Sequence, residues 1–119
     1  PPVVVMESDR PCLLFGSPGG DGQTQTNIQL LINLIDFGSD VQGAVDAPRW
    51  RSLPDGELLI ENRFPEDTVR GLAQRGHVVK QVGQFSSLMG SAQAIRLDRD
   101  KKILTGGADG RRLGYSLGR

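Results

Sequence analysis

The chain has a single cysteine, Cys12, and a single histidine, His77. One thiol excludes an internal disulfide, and one imidazole argues against a protein-only zinc site. Neither charge dominates, with 14 basic side chains against 14 acidic ones. That balance leaves no basic footprint for nucleic acid or for an anionic membrane. No apolar run approaches the ~20 residues needed to span a bilayer. The opening "PPVVVMESDRP" has neither the basic start nor the apolar stretch of a secretory leader. Pro1 in place of Met points to a processed chain or an excised fragment. At 119 residues the chain is one domain or a piece of one, long enough to bury roughly two-thirds of its unfolded surface. What it has in quantity is glycine, 16 residues, which fits many tight turns.

Periodicity predicts alternating strands and helices. "PPVVVM" reads as a buried strand, "ESDRP" as a turn and "CLLFG" as the returning strand. Ile28, Leu31, Ile32 and Ile35 then recur at the spacing of one helical face. Leu30, Leu34 and Phe37 widen that face, so the helix is expected to be buried between a sheet and another layer. Gly38 stands where a left-handed cap belongs. Ser39 and Gln42 have the spacing of a capping box for a second, short helix that Pro48 ends.

"RWRSLPDG" reads as a loop, "ELLIEN" as a strand and "FPEDTVRGLAQRGH" as a third helix. Pro65, Glu66 and Asp67 suit the first turn of that helix, Val69, Leu72 and Ala73 form its packing stripe, and Gly76 closes it. His77 follows as a turn or cap contact. "HVVKQVG", "SAQAIRLD" and "KILTGG" complete the strands. Gln93, Ile95 and Leu97 share one face and Ala92, Ala94 and Arg96 the other, an antiparallel pattern. Strands and helices in separate runs argue for α+β layers rather than a doubly wound sheet. Cys12, inside an apolar strand, reads as an inert core residue. Trp50 and Arg49 border a subunit contact or simply pack.

The stretch "GSPGGDGQT", between a strand and a helix, is the candidate site. A Walker-type phosphate loop needs a lysine followed by serine or threonine. Here there is no lysine, and Asp21 at the mouth would repel phosphate. The dinucleotide fingerprint fails as well, in its spacing and in the lack of a following βαβ unit. Three readings stay open: a tight turn stiffened by Pro18, adjacent backbone amides of Gly19 and Gly20 aimed at a developing oxyanion, or a helix start that holds a substrate carboxylate.

"FGSPGGDGQTQ" followed by "LLINLIDFGSDVQGAVDAPRW" resembles the C-terminal region of the small subunit in the gamma-glutamyltransferase family. "GLAQRGHVV", "MGSAQAI" and "GGADGRRLGYSLG" continue the resemblance in order, over essentially residues 1–119. These are N-terminal-nucleophile hydrolases, with cephalosporin acylases among their relatives. The resemblance implies an α+β fold, part of an αββα four-layer sandwich. It also implies an enzyme that cleaves itself to expose a threonine, which attacks a γ-glutamyl amide of a glutathione-like compound. The acyl group then passes to water or to an amine. Gly19 and Gly20 would form the oxyanion hole, Ser17 and Asp21 would border the substrate pocket, and no metal or organic cofactor is required.

The family's threonine and the residues that hold the substrate's α-amino and α-carboxyl groups lie upstream of "PPVVV". By itself, then, the chain is expected to be inactive, its partner the remainder of the enzyme: the large subunit and the first part of the small one. Uncovered strand edges would otherwise invite swapped or symmetric homo-oligomers. "ADGRR" stands where the family often has Asp-Pro-Arg, and Asp109 and Arg111 are expected to form an ion pair or turn contacts. Asp21 has a second reading, as N-cap of the long helix. An acylase of another amide and a non-catalytic binding or assembly module are the rival functions.

Overall fold

The computed structural model describes residues 2–18 and 20–118. Strands β1 (Val3–Glu7) and β2 (Arg10–Gly16) form a hairpin, and a 3-10 turn, Gly20–Gly22, leads into helix α1 (Gln23–Ile35). Helix α2 (Val41–Asp46), strands β3 (Trp50–Ser52) and β4 (Glu57–Glu61), helix α3 (Glu66–Gln74) and strand β5 (Val78–Val82) follow. A second 3-10 turn, Ser87–Met89, precedes β6 (Gln93–Asp98) and β7 (Ile103–Ala108), and a third, Gly110–Arg112, begins the tail. The larger sheet has the order β1-β2-β6-β7, antiparallel throughout. The smaller has the order β3-β4-β5.

The larger sheet is covered on one face. Leu13 and Phe15 of β2 and Ala94 of β6 pack with Leu30 and Leu34 of α1 and Val41, Ala44 and Val45 of α2. Gly107 is required here, because a Cβ on it would stand 2.9 Å from the Val41 carbonyl oxygen. The opposite face carries Val4, Leu14 and Ile95 in one cross-strand row, all exposed. The alternation expected for β6 is therefore present, with the alanines inward and Ile95 outward.

Several expectations need correction. β1 is an edge strand with Val4 and Met6 exposed, not a buried one, because only one layer of this chain covers its sheet. The buried side of α1 carries Thr26, Asn27, Leu30 and Leu34. Ile28, Ile32 and Ile35 lie on open surface, at 50%, 38% and 53% exposure. A helix apolar over most of its girth has no unique inward face, and contact with the sheet and α2 chose the leucine side. Cys12 is half-buried at the margin of the core, where the β1–β2 register shifts and its Sγ donates to the Val5 carbonyl. The cap of α2 is Asp40, whose Oδ1 accepts from the Gly43 N–H at 2.8 Å, and not Ser39. On the outer helix α3, Val69 and Leu72 are half-buried and Ala73 is exposed.

Two features of the small sheet were not expected. "RWRS" contains β3, three residues long and so too short to read, antiparallel to β4. β4 and β5 run parallel, joined by α3, so the chain does hold a βαβ unit, though downstream of the glycine loop. The helix stops at Gly38 and Gly76 are as expected, with φ of +63° and +93°. At the second, the His77 N–H donates back to the Leu72 carbonyl.

Glutamine side chains close open strand edges. Gln25 and Gln29, one turn apart on α1, each bond both backbone groups of a β3 residue. Gln25 pairs with Ser52 at 3.0 and 2.7 Å, and Gln29 with Trp50 at 2.9 and 3.0 Å. Gln42 of α2 does the same to Ala108 of β7, both bonds 3.1 Å. A primary amide presents the same donor and acceptor as a peptide group, so it can stand in for the missing neighbour strand. Gln29→Ala is expected to leave both groups of Trp50 unpaired and to lower stability by about 1–3 kcal/mol, read as a lower urea midpoint. An unchanged midpoint would show that solvent replaces the amide without loss.

Candidate functional site

The glycine loop leaves the sheet at the end of β2 and enters α1. Ser17 is buried, and its Oγ donates to the Pro18 carbonyl at 2.8 Å, closing the turn on itself. Gly20 is exposed with φ +54°, and nothing lies within 4 Å of where its Cβ would stand. Gly19 lies outside the described residues. Gly22 is the N-cap position of α1, which has no side-chain cap bond and no acidic residue in its own first turn. Asp21 is thus not the N-cap; it is exposed in the preceding 3-10 turn.

Beside the loop, an open groove of about 660 Å³ runs along the uncovered sheet face and is walled by the tail. Val4, Leu14, Ile95, Ser17, Tyr115 and Leu117 line it, and Asp21 does not. Gly106 admits the tail, since a Cβ there would collide with the Ser116 hydroxyl. Among the described residues no cluster of histidine, cysteine and carboxylates suits a metal ion.

Beneath the loop lies a buried ionic cluster. Arg49 pairs with Asp109 at 2.6 Å, Arg111 pairs with Asp109 at 3.1 Å and with Glu61 at 2.8 Å, and Arg63 pairs with Glu61 at 2.7 Å. Asp109 and Arg111 thus form the expected ion pair. Glu61, Arg49 and Arg63 were not expected in it; a charged residue closing the apolar strand "ELLIE" was the one available hint. The aromatic ring of Phe85 faces two of the guanidiniums, 3.9 Å from Arg63 and 5.3 Å from Arg111.

The cluster also binds backbone. Arg49 and Arg111 donate to the Val45 carbonyl, and Arg111 to that of Ala47, satisfying the C-terminal end of α2. Segment 86–92 is held at three points. The Ser86 N–H donates to Glu61 at 3.0 Å, Arg49 donates to the Met89 carbonyl at 3.3 Å, and the Ala92 N–H donates to Asp109 at 2.9 Å.

Burial and the neighbouring Arg111 lower the Arg49 pKa, against the pull of Asp109. Burial acts the same way on Arg111, but its two carboxylate partners outweigh it and the pKa rises. For Glu61 burial favours the neutral acid, yet the bonds and charge of Arg111, with help from Arg63 and the Arg49 amide, hold its pKa below the ordinary 4.5. A depressed native pKa gives stability that is present above the unfolded-state value and lost as pH falls through the native one. The urea midpoint is therefore expected to decline below about pH 4.5. Glu61→Gln should cost about 3–5 kcal/mol at pH 7, because it strands buried arginines, and should flatten that acid slope. An acid slope unchanged in the variant would assign the transition to other carboxylates.

The gamma-glutamyltranspeptidase family model matches residues 1–118. The chain is 38% identical to the glutathione hydrolase-like YwrD proenzyme of Bacillus subtilis, over 98% of this chain and 23% of that protein. It is 37% identical to the glutathione hydrolase proenzyme of Escherichia coli, over 86% of this chain and 17% of the relative. The chain therefore spans about a fifth of the length of these relatives. Its fold superposes on the cephalosporin acylase from Bacillus halodurans with a TM-score of 0.89 at 35% identity, covering 96% of this chain and 21% of the acylase. The one-sided sheet is thus part of the α+β sandwich of the N-terminal-nucleophile hydrolases. The motifs of the glycine loop, the arginine-bearing turn after α2 and the tail all fall within the matched span, and the chain belongs to the gamma-glutamyltranspeptidase family.

Proposed function

We propose that residues 1–119 are the C-terminal portion of the small subunit of an enzyme that cleaves γ-glutamyl amides of the glutathione type. The acyl group passes to water or to an acceptor amine. The observation that carries this reading is the glycine loop itself, a strand-to-helix turn whose Gly20 backbone is bare on the outside. The helix behind it starts without a side-chain cap, so no side chain competes for its first amides.

In this mechanism the nucleophile is a threonine at the head of a segment outside this chain. Its own α-amine takes the hydroxyl proton, which is why the residue has to open a chain. Attack on the γ-carbonyl carbon sends charge to the oxygen, and the amides of Gly19 and Gly20 receive it. Donors fixed before the reaction are worth ~10²–10³ in rate each. Collapse passes the α-amine's proton to the departing amine and breaks the C–N bond. Water or an acceptor amine then attacks the acyl-enzyme, giving its proton to the α-amine, and collapse of this second oxyanion breaks the ester bond and frees the threonine. Ser17 and Asp21 border the pocket in this reading, Ser17 from the floor and Asp21 from the exposed rim. Asp21 at the rim disfavours a permanent anion such as phosphate, while a transient oxyanion deeper in the loop is stabilised by amides.

The likeness to a cephalosporin acylase supports a second reading, an acylase acting on another amide, taken for the test as one whose acyl group lacks the α-amine. The two separate on a matched pair of probes. The complete, self-processed enzyme is expected to release the dye from a γ-glutamyl anilide at least tenfold faster than from a glutaryl anilide. A mass spectrum of the same sample should contain a chain that opens with threonine. Preference for the glutaryl probe would select the acylase reading, and turnover of neither would overturn both.

A further inference from the structure

Gly90 follows the Ser87–Met89 turn with φ +78° and ψ −161°, a conformation open to glycine. It is buried, and it lies against the underside of the glycine loop. A Cβ on Gly90 would stand 3.1 Å from the Ser17 Oγ, 3.3 Å from the Thr26 Oγ1 and 3.5 Å from the Pro18 carbonyl oxygen. These are the atoms that shape the loop: Ser17 Oγ closes the turn on Pro18, and Thr26 lies in the early part of α1. Thr26 also donates to the Met89 carbonyl at 3.3 Å, the same oxygen that Arg49 reaches from below. On the other side of Gly90, the Ala92 N–H is held by Asp109, which is itself paired with Arg49. The segment under the loop is therefore clamped on both sides of the glycine.

We propose that Gly90 is a positioning residue for the glycine loop: its bare Cα, held in place by the Arg49–Asp109 pair, sets the height and tilt at which Ser17–Gly20 meets the substrate. This rests on the reading of that loop as the oxyanion cradle. The loop has little else to fix its aim. Gly20 is exposed, α1 has no side-chain cap, and among the described residues the side-chain hydrogen bond the loop makes within itself is that of Ser17. Raising the floor by one methyl would push the Ser17 and Thr26 hydroxyls aside by a few tenths of an ångström, and the Ser17 hydroxyl carries the bond that closes the turn on the Pro18 carbonyl. Misplacement on that scale is felt in the transition state and hardly at all in the ground state, since the oxyanion forms only during reaction.

The test uses the complete, self-processed enzyme and the γ-glutamyl anilide. Gly90→Ala is expected to lower kcat by tenfold or more while KM changes less than threefold. Gly56→Ala is the matched control. Gly56 also has a positive φ, +88°, but nothing lies within 4 Å of its Cβ position, so it carries the backbone strain without the contact. Thr26→Val keeps the side-chain shape, removes the bond to Met89 and imposes no strain on Gly90. It covers the case in which Gly90→Ala fails to fold, and it should lower kcat by about three- to tenfold at unchanged KM. A Thr26→Val enzyme, or a folded Gly90→Ala enzyme, that matches the Gly56→Ala control in kcat overturns the assignment of Gly90 alone. A wild-type enzyme that turns over no γ-glutamyl anilide overturns the oxyanion reading itself, and the positioning role with it.

Discussion

The way the elements meet around the site depends on a buried ionic cluster. Arg49, Glu61, Arg63, Asp109 and Arg111 come from the turn after α2, the end of β4 and its following loop, and the tail after β7. Taking these charges out of water is costly, and their attraction repays the cost only where geometry and further hydrogen bonds are good. Both conditions hold for the two carboxylates. Glu61 and Asp109 are fully enclosed, and each carboxylate accepts backbone N–H groups as well as guanidinium ones. The guanidiniums in turn satisfy carbonyls at the end of α2 that the helix leaves unpaired. Apolar side chains of the same size could fill this volume. They could not terminate a helix, anchor segment 86–92 and fix the tail together.

What the cluster organises is an asymmetric piece of a larger body. One face of the four-stranded sheet carries α1 and α2, and the other is bare. The glutamines on those helices add lateral order, because each amide ends a ladder that would otherwise present free N–H and C=O groups. α1 is thereby attached to both sheets, to the large one through Leu30 and Leu34 and to the small one through Gln25 and Gln29. The glycine loop sits at the head of this doubly anchored helix, at the margin of the groove on the bare face.

The sequence made the local elements legible and left the long-range ones hidden. Strands, helix stops and the Gly38 and Gly76 turns follow from periodicity and backbone freedom, which act over a few residues. The inward face of α1 did not, because the isoleucine and leucine sides are equally apolar. Only Leu13, Phe15 and α2, which arrive from elsewhere in the chain, decide between them. β3 was hidden by its length, and the parallel β4–β5 pairing because α3 separates the two strands in the chain. Asp109 with Arg111 was readable from the resemblance of "ADGRR" to the family's Asp-Pro-Arg turn. Glu61 was not, lying 50 residues from Arg111 in a strand that otherwise reads as apolar. At the site, the loop was visible from its motif, whereas Gly90 was not, because it reaches the loop from beneath and the Thr26–Met89 bond that ties its segment there spans 63 residues of chain.

The separation between what the loop contains and what aims it has a physical basis. Backbone amides that serve an oxyanion must be uncovered on the side of the reacting atom, so side chains cannot crowd that side. Stiffness has to enter from the opposite side. There the chain places a glycine against Ser17 and Thr26, then a carbonyl shared by Thr26 and Arg49, then a carboxylate paired with that arginine. Met89, Arg49 and Asp109 are all buried, at 2%, 2% and 0% exposure. A network in low dielectric is costly to distort, because any displacement leaves a buried charge underpaired. The rigidity that a glycine-rich turn cannot supply is thus drawn from a buried, charge-paired layer beneath it.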